Sequence, residues 1–397
     1  MNFLDHIEIN PAIRMTKGQE YPFVDMASVS TKNRIPDRIE RKAFSSGVRF
    51  QKGDTVIARI EPCLQNGKKF YCKEIESGFG STEFIVFRPK DDAVDSLYLY
   101  YFMQQNYIRQ NMINSMTGST GRQRVNNDVF QDLEISMPNI DKQRQIGKFL
   151  SLYDELIENN NKQIALLEEM AFGLYKEWFC NYRFPGWERA IVIDGLPEGW
   201  TKCSLGQVID FNPKITLDKE KEKDSVPMAA LSVNSMLLDY REFSKTKSNA
   251  GSKFQNGDTL LARITPCLEN GKTAYVMGID SDEGAVGSTE FIVMRSKQIN
   301  PYMVYLLART NDFREMAIKT MTGSDGRQRA QVELIKDHEY ILPSKEIIIQ
   351  FGETVKPVFE SVYLKNCQNI RLAESRDRLI AKLISSGACM EETETYV

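Results

Sequence analysis

The sequence is poor in the residues that build metal and disulfide sites. It has two histidines, His6 and His338, and its seven cysteines are scattered along 397 residues without a CxxC pair. Structural zinc sites need clustered Cys and His ligands, and disulfide frameworks need cysteines at close, paired spacings. We therefore expect neither a metal site nor a disulfide-stabilised fold, and we interpret Cys63 and Cys267 as small buried hydrophobic residues.

Long apolar runs and a large net charge are also missing. No apolar stretch approaches the roughly 20 residues that span a bilayer. The opening MNFLDHIEIN has no basic region followed by an apolar one, so we expect a cytoplasmic protein with no membrane contact. The net charge of −3 equals the charge of Glu391, Glu392 and Glu394 near the end, which leaves a neutral body with room for basic patches. At 42% hydrophobic residues, a chain of this length can bury two ordinary cores.

An internal repeat organises the chain. Three blocks recur nearly unchanged at an offset of 204 to 207 residues, so the sequence encodes two copies of one unit. The blocks are QKGDTVIARIEPCLQNGK (51–68) and QNGDTLLARITPCLENGK (255–272), GSTEFIVFR (80–88) and GSTEFIVMR (287–295), and MTGSTGRQR (116–124) and MTGSDGRQR (321–329).

The two copies differ most over residues 22–50 and 227–254. Neutral drift would explain a difference of this kind. The confinement of the difference to one stretch beside near-identical blocks favours two globular domains, here called heads, that recognise different targets.

Each copy has the same order of short strands and helices, which predicts an α/β or α+β globular head. A helical stretch at 96–113 is mirrored at 301–318. The predicted strands are Thr55–Ile60, Phe84–Phe87 and Glu134–Met137 in copy one, and Thr259–Ile264, Phe291–Met294 and Glu339–Leu342 in copy two.

A long helix follows each head. Residues 141–180 and 345–386 carry apolar residues at spacings of three and four, which is typical of a coiled coil. Pro357 predicts a kink or a late start in the second helix. Both apolar seams turn polar midway, at 159–161 and 366–369, which indicates either a buried register-fixing layer or an exposed, loosely packed middle.

Antiparallel pairing of the two helices would place the heads at opposite ends of a rod. Forty helical residues measure about 60 Å, which is roughly 17 base pairs of duplex DNA. The expected segments are a first head (1–139), a first spacer helix (140–180), a linker and second head (181–343), a second spacer helix (344–387) and an acidic tail (388–397).

The Gly-Arg-Gln-Arg loops are the first candidate DNA contacts. Their glycines permit tight turns, and Arg and Gln suit phosphates and base edges. The alternative is a solvated loop with a few salt bridges. Near-identity between copies favours contact with the DNA backbone over base reading. The candidate residues are Ser119, Arg122, Gln123 and Arg124, with Ser324, Arg327, Gln328 and Arg329.

The ARIEPCLQNGK and ARITPCLENGK blocks supply further candidate cations, Arg59 and Lys68 in copy one and Arg263 and Lys272 in copy two. The alternative for this block is a strand and turn that hold the frame of the domain. We interpret Glu83 and Glu290 of the GSTEF blocks as capping or strand-pairing residues. No residue combination in the sequence matches a catalytic site.

These blocks resemble the DNA-specificity subunits of Type I restriction–modification systems. The similarity includes LPEGWTKCSLGQV (196–208), the GDTVIARI, GSTEF and GRQR blocks, and MPNIDKQRQIGKFLSLYDELI (137–157). The resemblance implies two target-recognition domains separated by two antiparallel spacer helices. Copy one lacks an LPEGW-like start, and residues 343–357 lack the charged pattern that opens the first helix.

The resemblance also implies partners. Two modification (methyltransferase) subunits would bind the spacer helices, restriction subunits would join them, and S-adenosylmethionine would be held by the methyltransferase and not by this chain. The implied partner-binding residues are Ile146, Tyr153, Ile164, Leu174, Val355, Val362, Ile370 and Leu383.

We therefore expect a non-catalytic subunit that binds a bipartite site in double-stranded DNA and directs partner methylation of adenine to it. A coiled-coil scaffold without DNA specificity is the main alternative, and a single-chain methyltransferase or nuclease is a weaker one. The sequence does not reveal the target sequence, the gap between half-sites, or whether cleavage accompanies methylation.

Overall fold

A computed structural model of the chain describes residues 2–280, 283–324 and 326–389. From residue 390 onward, the predicted acidic tail lies outside the described residues. The chain divides into two compact units. Unit 1 combines Met1–Asn161 with the chain from Cys367 onward, and unit 2 is Lys162–Asn366. Each unit therefore contains one head and one half of each long helix.

The first head contains short strands with helices after them. In chain order they are α1 (Phe3–His6), β1 (Ile7–Ile9), β2 (Glu20–Val24), β3 (Glu40–Ala43), β4 (Val48–Gln51), β5 (Thr55–Ala58), β6 (Lys69–Tyr71), β7 (Ser77–Gly80), β8 (Phe84–Pro89), α2 (Ser96–Phe102), α3 (Asn106–Asn114) and a 3₁₀ turn at Asn127–Phe130. The first long helix, α4, covers Ile140–Tyr175 and continues as a π-helical turn at Lys176–Cys180.

The second head repeats this order. Its elements are β9 (Val192–Ile193), β10 (Leu196–Pro197), β11 (Thr201–Ser204), α5 (Leu205–Val208), β12 (Ile209–Phe211), β13 (Lys223–Val226), β14 (Ser244–Thr246), β15 (Ser252–Phe254), β16 (Thr259–Ala262), β17 (Thr273–Tyr275), β18 (Ala285–Gly287), β19 (Phe291–Ser296), α6 (Pro301–Ala308), α7 (Asn311–Lys319), α8 (Val332–Lys336) and β20 (Glu339–Leu342), with 3₁₀ turns at Trp187–Arg189, Met228–Ala230 and Tyr240–Glu242. The second long helix, α9, covers Lys345–Cys389.

The two heads share one topology. In unit 1, one sheet has the order β1-β8-β5-β6 and is antiparallel, and the other has the order β3-β2-β7-β4 with β2 parallel to β7. Unit 2 repeats both orders as β12-β19-β16-β17 and β14-β13-β18-β15, with β13 parallel to β18. The register also matches, since Thr55 faces Phe87 and Thr259 faces Met294. The sequence repeat is thus a repeat of a mixed α/β fold.

The central strand β5 is buried along its whole length because both of its faces are covered. Val56 packs with Phe50 and Phe84 between the two sheets. Ile57, on the opposite face, packs in the cluster that contains Leu99 of α2. A strand covered on both faces shows a continuous apolar run, as TVIA does here, and not an alternation.

A buried ion pair closes the turn before the central strand in each head. Arg88 donates to both carboxylate oxygens of Asp54 at 2.6 and 2.7 Å, and Arg295 does the same to Asp258 at 2.7 and 2.7 Å. Both aspartates are essentially inaccessible to solvent. Each aspartate also accepts a hydrogen bond from the backbone N–H three residues earlier, that of Gln51 or Gln255. The aspartate that both copies share in this block therefore has a structural role.

Two predicted elements differ from the structure. Each predicted helical stretch is divided into two helices, with the break at 103–105 in unit 1 and at 309–310 in unit 2. The predicted strand Glu134–Met137 is wrong: among the described residues, Glu134 makes an isolated bridge to Asn2. Its counterpart Glu339–Leu342 is a strand because β11 pairs with it over four residues.

The long helices follow the predicted positions but not the predicted details. The late start at Pro357 is wrong, because α9 begins at Lys345 and continues through the proline; a kink there remains a prediction. The predicted seam positions Phe149 and Leu156 are 44% and 49% exposed, whereas Leu150 and Ile157 are buried. The burial is displaced by one residue because α4 also packs on its own head, where Leu150 contributes to the same cluster as α2.

The polar middle of the seam is a hydrogen-bonded layer in unit 1. The buried Asn160 amide donates to Gln368 and Asn369 at 3.0 and 2.9 Å, and Asn369 donates to Asn161 at 2.8 Å. Arg376 also binds Asp154. Residues earlier in α4 therefore contact residues later in α9. The parts of the two helices that belong to unit 1 run antiparallel. The exposed, loosely packed alternative is wrong for this layer.

Candidate nucleic-acid interface

The Gly-Arg-Gln-Arg segment of unit 1 forms a closed loop, here called loop 1 (Thr117–Arg124). The backbone N–H and carbonyl of Thr117 both bond to those of Arg124, at 2.9 Å each. Within the loop, Arg122 N–H donates to the carbonyl of Ser119 at 2.9 Å. Gly118 and Gly121 have φ angles of +122° and +81°, which side-chain-bearing residues rarely adopt. The glycines are therefore required by the turn.

Loop 2 (Thr322–Arg329) has the same geometry in unit 2. Thr322 and Arg329 bond reciprocally at 3.1 and 2.9 Å, and Arg327 N–H donates to Ser324 at 3.0 Å. A Cβ on Gly323 would lie 3.1 Å from the Arg327 carbonyl oxygen, so a larger residue would crowd the turn. The described residues of the two loops therefore share one structure.

Each loop is fixed to the end of the central strand of its head. In unit 1, Val125 N–H donates to the Arg59 carbonyl at 2.9 Å, and Glu61 N–H donates to Gln123 at 2.9 Å. In unit 2, the same bonds join Ala330 to Arg263 at 2.9 Å and Thr265 to Gln328 at 3.1 Å. The backbone of Gln123 and Gln328 thus anchors the loop.

The last arginine of each loop is held by a glutamate of the GSTEF block. Arg124 donates to both carboxylate oxygens of Glu83 at 2.8 and 2.6 Å, and Arg329 donates to Glu290 at 3.0 and 2.7 Å. The arginine hydrogen bond is the main reason why the pKa values of Glu83 and Glu290 are lowered. The carboxylates are thus ion-pair partners of the loop, while the backbone carbonyls of Glu83 and Glu290 accept the N–H groups of Arg59 and Arg263, so strand pairing holds for the backbone and not for the side chain.

The other predicted cations are used inside the heads. Arg59 donates to the Val125 carbonyl at 2.9 Å, and Arg263 lies 3.8 Å from Glu290. The geometry therefore supports the frame interpretation of this block over DNA contact.

The two lysines of the block connect it to the divergent segments. Lys68 donates to the Met26 carbonyl at 2.7 Å, and Lys272 to the Met228 carbonyl at 3.1 Å. Both ammonium groups thus fix the start of a divergent segment to the constant frame, so the geometry favours the frame interpretation for the two lysines as well.

The loop tips keep one unused arginine each. Arg122 and Arg327 are exposed, and neither guanidinium has a hydrogen bond or ion pair with the part of the chain that the structure describes. Ser119 and Ser324 are exposed beside them. Of the predicted loop residues, these four are the ones placed to meet a ligand outside the head.

The divergent segments contribute a basic surface that the sequence analysis missed. In unit 1, residues 22–50 contain six Lys and Arg against three Asp and Glu, in a chain whose net charge is −3. Part of this charge lies on the edge strand β3, where Arg41 and Lys42 are exposed and pair with the nearby Glu20 and Glu40. A local charge count would have revealed the excess.

The predicted partner-binding positions divide into two groups. Ile146, Val355 and Val362 are buried, so they support the helices and offer no surface to a partner. Half-buried positions make up the second group, which consists of Tyr153, Ile164, Leu174, Ile370 and Leu383. Exposed apolar residues on the α4 half of unit 1 instead include Phe149, Leu152 and Leu156. Their spacing of three and four places them on one helix face.

Comparison with known families identifies this architecture. A family model described as the Type I restriction modification DNA specificity domain matches residues 10–169. Residues 10–169 therefore match the DNA-specificity family. The matched residues cover the first head with its loop and most of α4, and the second head repeats the same fold and loop.

Relatives extend the match along the chain. The Type I restriction enzyme MjaIX specificity subunit of Methanocaldococcus jannaschii is 25% identical over 315 residues, covering 77% of this chain and 71% of that protein. The EcoAI specificity subunit of Escherichia coli is 32% identical over 168 residues, covering 40% of this chain and 28% of that protein. The crystal structure of a Type I S subunit from M. genitalium has a TM-score of 0.50 and 14% identity, covering 96% and 94% of the two chains, and shows a similar fold.

Two further features, a metal centre and a membrane-spanning helix, are absent from the described residues. No group of three or more His, Cys, Asp or Glu side chains there is arranged to hold a metal ion. The described helices also include none that is long and apolar enough to cross a membrane.

Proposed function

We propose that this chain is the specificity subunit of a Type I system, binds a bipartite site in double-stranded DNA, and directs partner methyltransferase subunits to it. The observation that supports this most is the duplication of a preformed loop with an unused arginine, Arg122 or Arg327, on two heads of one DNA-specificity fold. This duplication does not favour a coiled-coil scaffold without DNA specificity.

Each loop tip would contact the DNA backbone. A free guanidinium beside a serine hydroxyl suits a phosphate, and identical residues in both heads cannot distinguish two different sequences. Base reading is assigned to the divergent segments, whose fold is the same but whose side chains differ. Both segments are net basic, and residues 227–254 have four Lys and Arg against two Asp and Glu.

The spacer helices would set the distance between half-sites and carry the protein partners. Two modification subunits would bind them, S-adenosylmethionine would be held by those subunits, and restriction subunits would join the assembly. The exposed face with Phe149, Leu152 and Leu156 is the surface of unit 1 best suited to a helix from a modification subunit, because it is apolar and outward. Catalysis is assigned to the partners.

Methylation mapping tests the proposal. The chain is expressed in a methylation-free host with its modification partner, and methylated adenines are located by sequencing the genome. We expect one asymmetric bipartite sequence with a fixed gap. Methylation that is absent, or that needs one half-site alone, contradicts the proposal.

The scaffold alternative has its own test. Filter binding of the purified chain to random duplex DNA, with and without the modification subunit, should show salt-dependent binding that the subunit strengthens. A chain that binds the modification subunit but retains no DNA in either case would be a scaffold.

A further inference from the structure

Unit 1 contains a polar cavity of about 510 Å³ that the DNA loops do not use. It lies between the β5–β6 region, helix α3 and the part of α9 that belongs to unit 1. Three cationic side chains line it, Lys69 from β6, Arg109 from α3 and Arg376 from α9, together with the carboxylate of Asp377. Met112 and Ile380 supply an apolar wall.

The three cations differ in their hydrogen-bond and ion-pair partners. Arg376 is paired with two carboxylates, Asp154 and Asp377, the second at 2.7 Å. Arg109 donates from Nη2 to the Gln65 carbonyl, but its Nε is buried without an acceptor among the described residues.

Lys69 makes no hydrogen bond or ion pair within that same part of the chain. Burial, with the positive charge of Arg376 next, lowers the pKa of Lys69 to about 8. The cavity therefore holds two cationic donors without an acceptor among the described residues, and for the buried Arg109 Nε that lack is costly.

The second copy of the fold replaces some of the charged residues of this region. The repeat aligns Lys69 with Thr273 and Asp154 with Phe359, both of which are buried in unit 2. Phe359 packs against the rings of Tyr275 and Tyr302, with centroids 5.0 and 4.7 Å away. Apolar packing at such a position stabilises a fold at least as well as buried charges do. Lys69 and Asp154 are thus not required by the fold, whereas Arg109 recurs in unit 2 as Arg314.

We propose that this cavity binds a small phosphate-bearing molecule of about mononucleotide size. The phosphate would accept hydrogen bonds from the Lys69 ammonium and the Arg109 Nε, which supplies the missing acceptor to both. Lys and Arg are the usual phosphate donors, and the volume lies within the range of small-molecule sites. A ligand here would contact α3 and α9 together and so stabilise unit 1. The site is independent of the DNA-binding proposal, since it shares no residue with the loops.

Calorimetric titration of the full chain with adenosine 5′-monophosphate and inorganic phosphate tests this, with adenosine as the phosphate-free probe. We expect both phosphates to bind and adenosine not to bind. Lys69→Thr, which introduces the residue of the second copy, and Arg109→Gln should each weaken phosphate affinity by about tenfold or more, as the loss of a charged hydrogen bond predicts. Arg314→Gln, the matched position of unit 2, should leave the affinity unchanged.

The thermal unfolding midpoint of each variant shows whether it is folded, and adenosine 5′-monophosphate should raise that of the wild type but not that of Lys69→Thr. Failure of both phosphates to bind overturns the proposal, as does equal binding by folded Lys69→Thr. If the variants weaken the binding of duplex DNA but not that of the two small phosphates, the bound phosphate belongs to the DNA backbone and the small-molecule site is refuted. Methylation specificity is measured separately, so failure here leaves the proposed function standing.

Discussion

Arg124 and Glu83 form a two-pronged ion pair, with the guanidinium Nε and Nη2 atoms 2.8 and 2.6 Å from the carboxylate oxygens. Arg122, two residues earlier in the same loop, has no such partner among the described residues. The pair therefore separates two arginines that look equivalent in the sequence. Arg124 positions the loop, and Arg122 remains available to a ligand. Arg329 with Glu290, and Arg327, repeat the same division in unit 2.

The free arginines should carry the salt-dependent part of DNA binding. Replacing Arg122 or Arg327 by Ala should weaken binding to all sequences alike and reduce the slope of log affinity against log salt by about one. Filter binding at several salt concentrations measures both. Arg378→Ala removes an arginine that is 82% exposed on α9 and is the control. Unchanged salt slopes in both loop variants would refute the assignment of the tips to the DNA backbone.

The ion pairs between the loop arginines and Glu83 or Glu290 should be lost at acid pH. Arginine hydrogen bonds lower the pKa values of Glu83 and Glu290. A carboxyl group with a lowered folded pKa stabilises the fold above its unfolded pKa, about 4.3 for glutamate, and loses that contribution as the pH falls through the folded value. We therefore expect the Arg124 Nε–H resonance to stay constant from neutral pH down to about 4 and to shift below it.

Glu83→Gln is the control for this titration, because it removes the group that titrates. The Arg124 resonance should then lose its acid transition. A transition between pH 8 and 6 in the wild type would contradict the ion pair as the cause.

The buried aspartates before the central strands should be essential for stability. Asp54→Asn leaves Arg88 without its counter-charge in a buried site, which costs about 3–5 kcal/mol in other proteins. Chemical denaturation should show a loss of that size, and the same for Asp258→Asn. Asp141→Asn, whose carboxylate is 84% exposed, should change stability little. A loss below about 1 kcal/mol for both buried variants would mean that the pairs are not structural.

The exposed apolar face of α4 should be needed for assembly and not for folding. Leu152 and Leu156 are each 49% exposed, so replacing both by Glu should preserve the thermal unfolding midpoint. Binding to the modification subunit, measured by size-exclusion chromatography, should be lost. Glu155→Gln is the control on the same helix. Intact assembly by the folded double variant would place the partner elsewhere.

The ruler hypothesis predicts a change in the gap between half-sites. Removing seven residues from each long helix shortens both by about 10 Å, or roughly three base pairs of DNA. Methylation mapping should show both half-sites unchanged with a shorter gap. Retention of the original gap by a folded deletion variant would exclude the helices as the spacer.

The sequence alone determined the features that depend on neighbours in the chain. The duplicated blocks, the glycine turns of the loops and the two long helices were all predictable, because turn chemistry and helical periodicity are local. The strand at Glu134–Met137 was not, since a strand exists only when a distant segment pairs with it. Between Phe149 and Ile157, the buried positions of α4 were displaced by one residue for the same reason, because the head affects which side is covered.

Only the tertiary structure decided which cations remain free. Arg122 and Arg124 are the same residue type two positions apart, and nothing local separates them. The fold brings Glu83, 41 residues earlier, against one and not the other. Likewise, Lys69 and Arg376 are distant in sequence and line one cavity in unit 1, whereas the repeat places Thr273 at the position of Lys69 in unit 2. Ion pairing and burial depend on three-dimensional proximity. The repeat could therefore be identified from the sequence, but the partners of its cations could not.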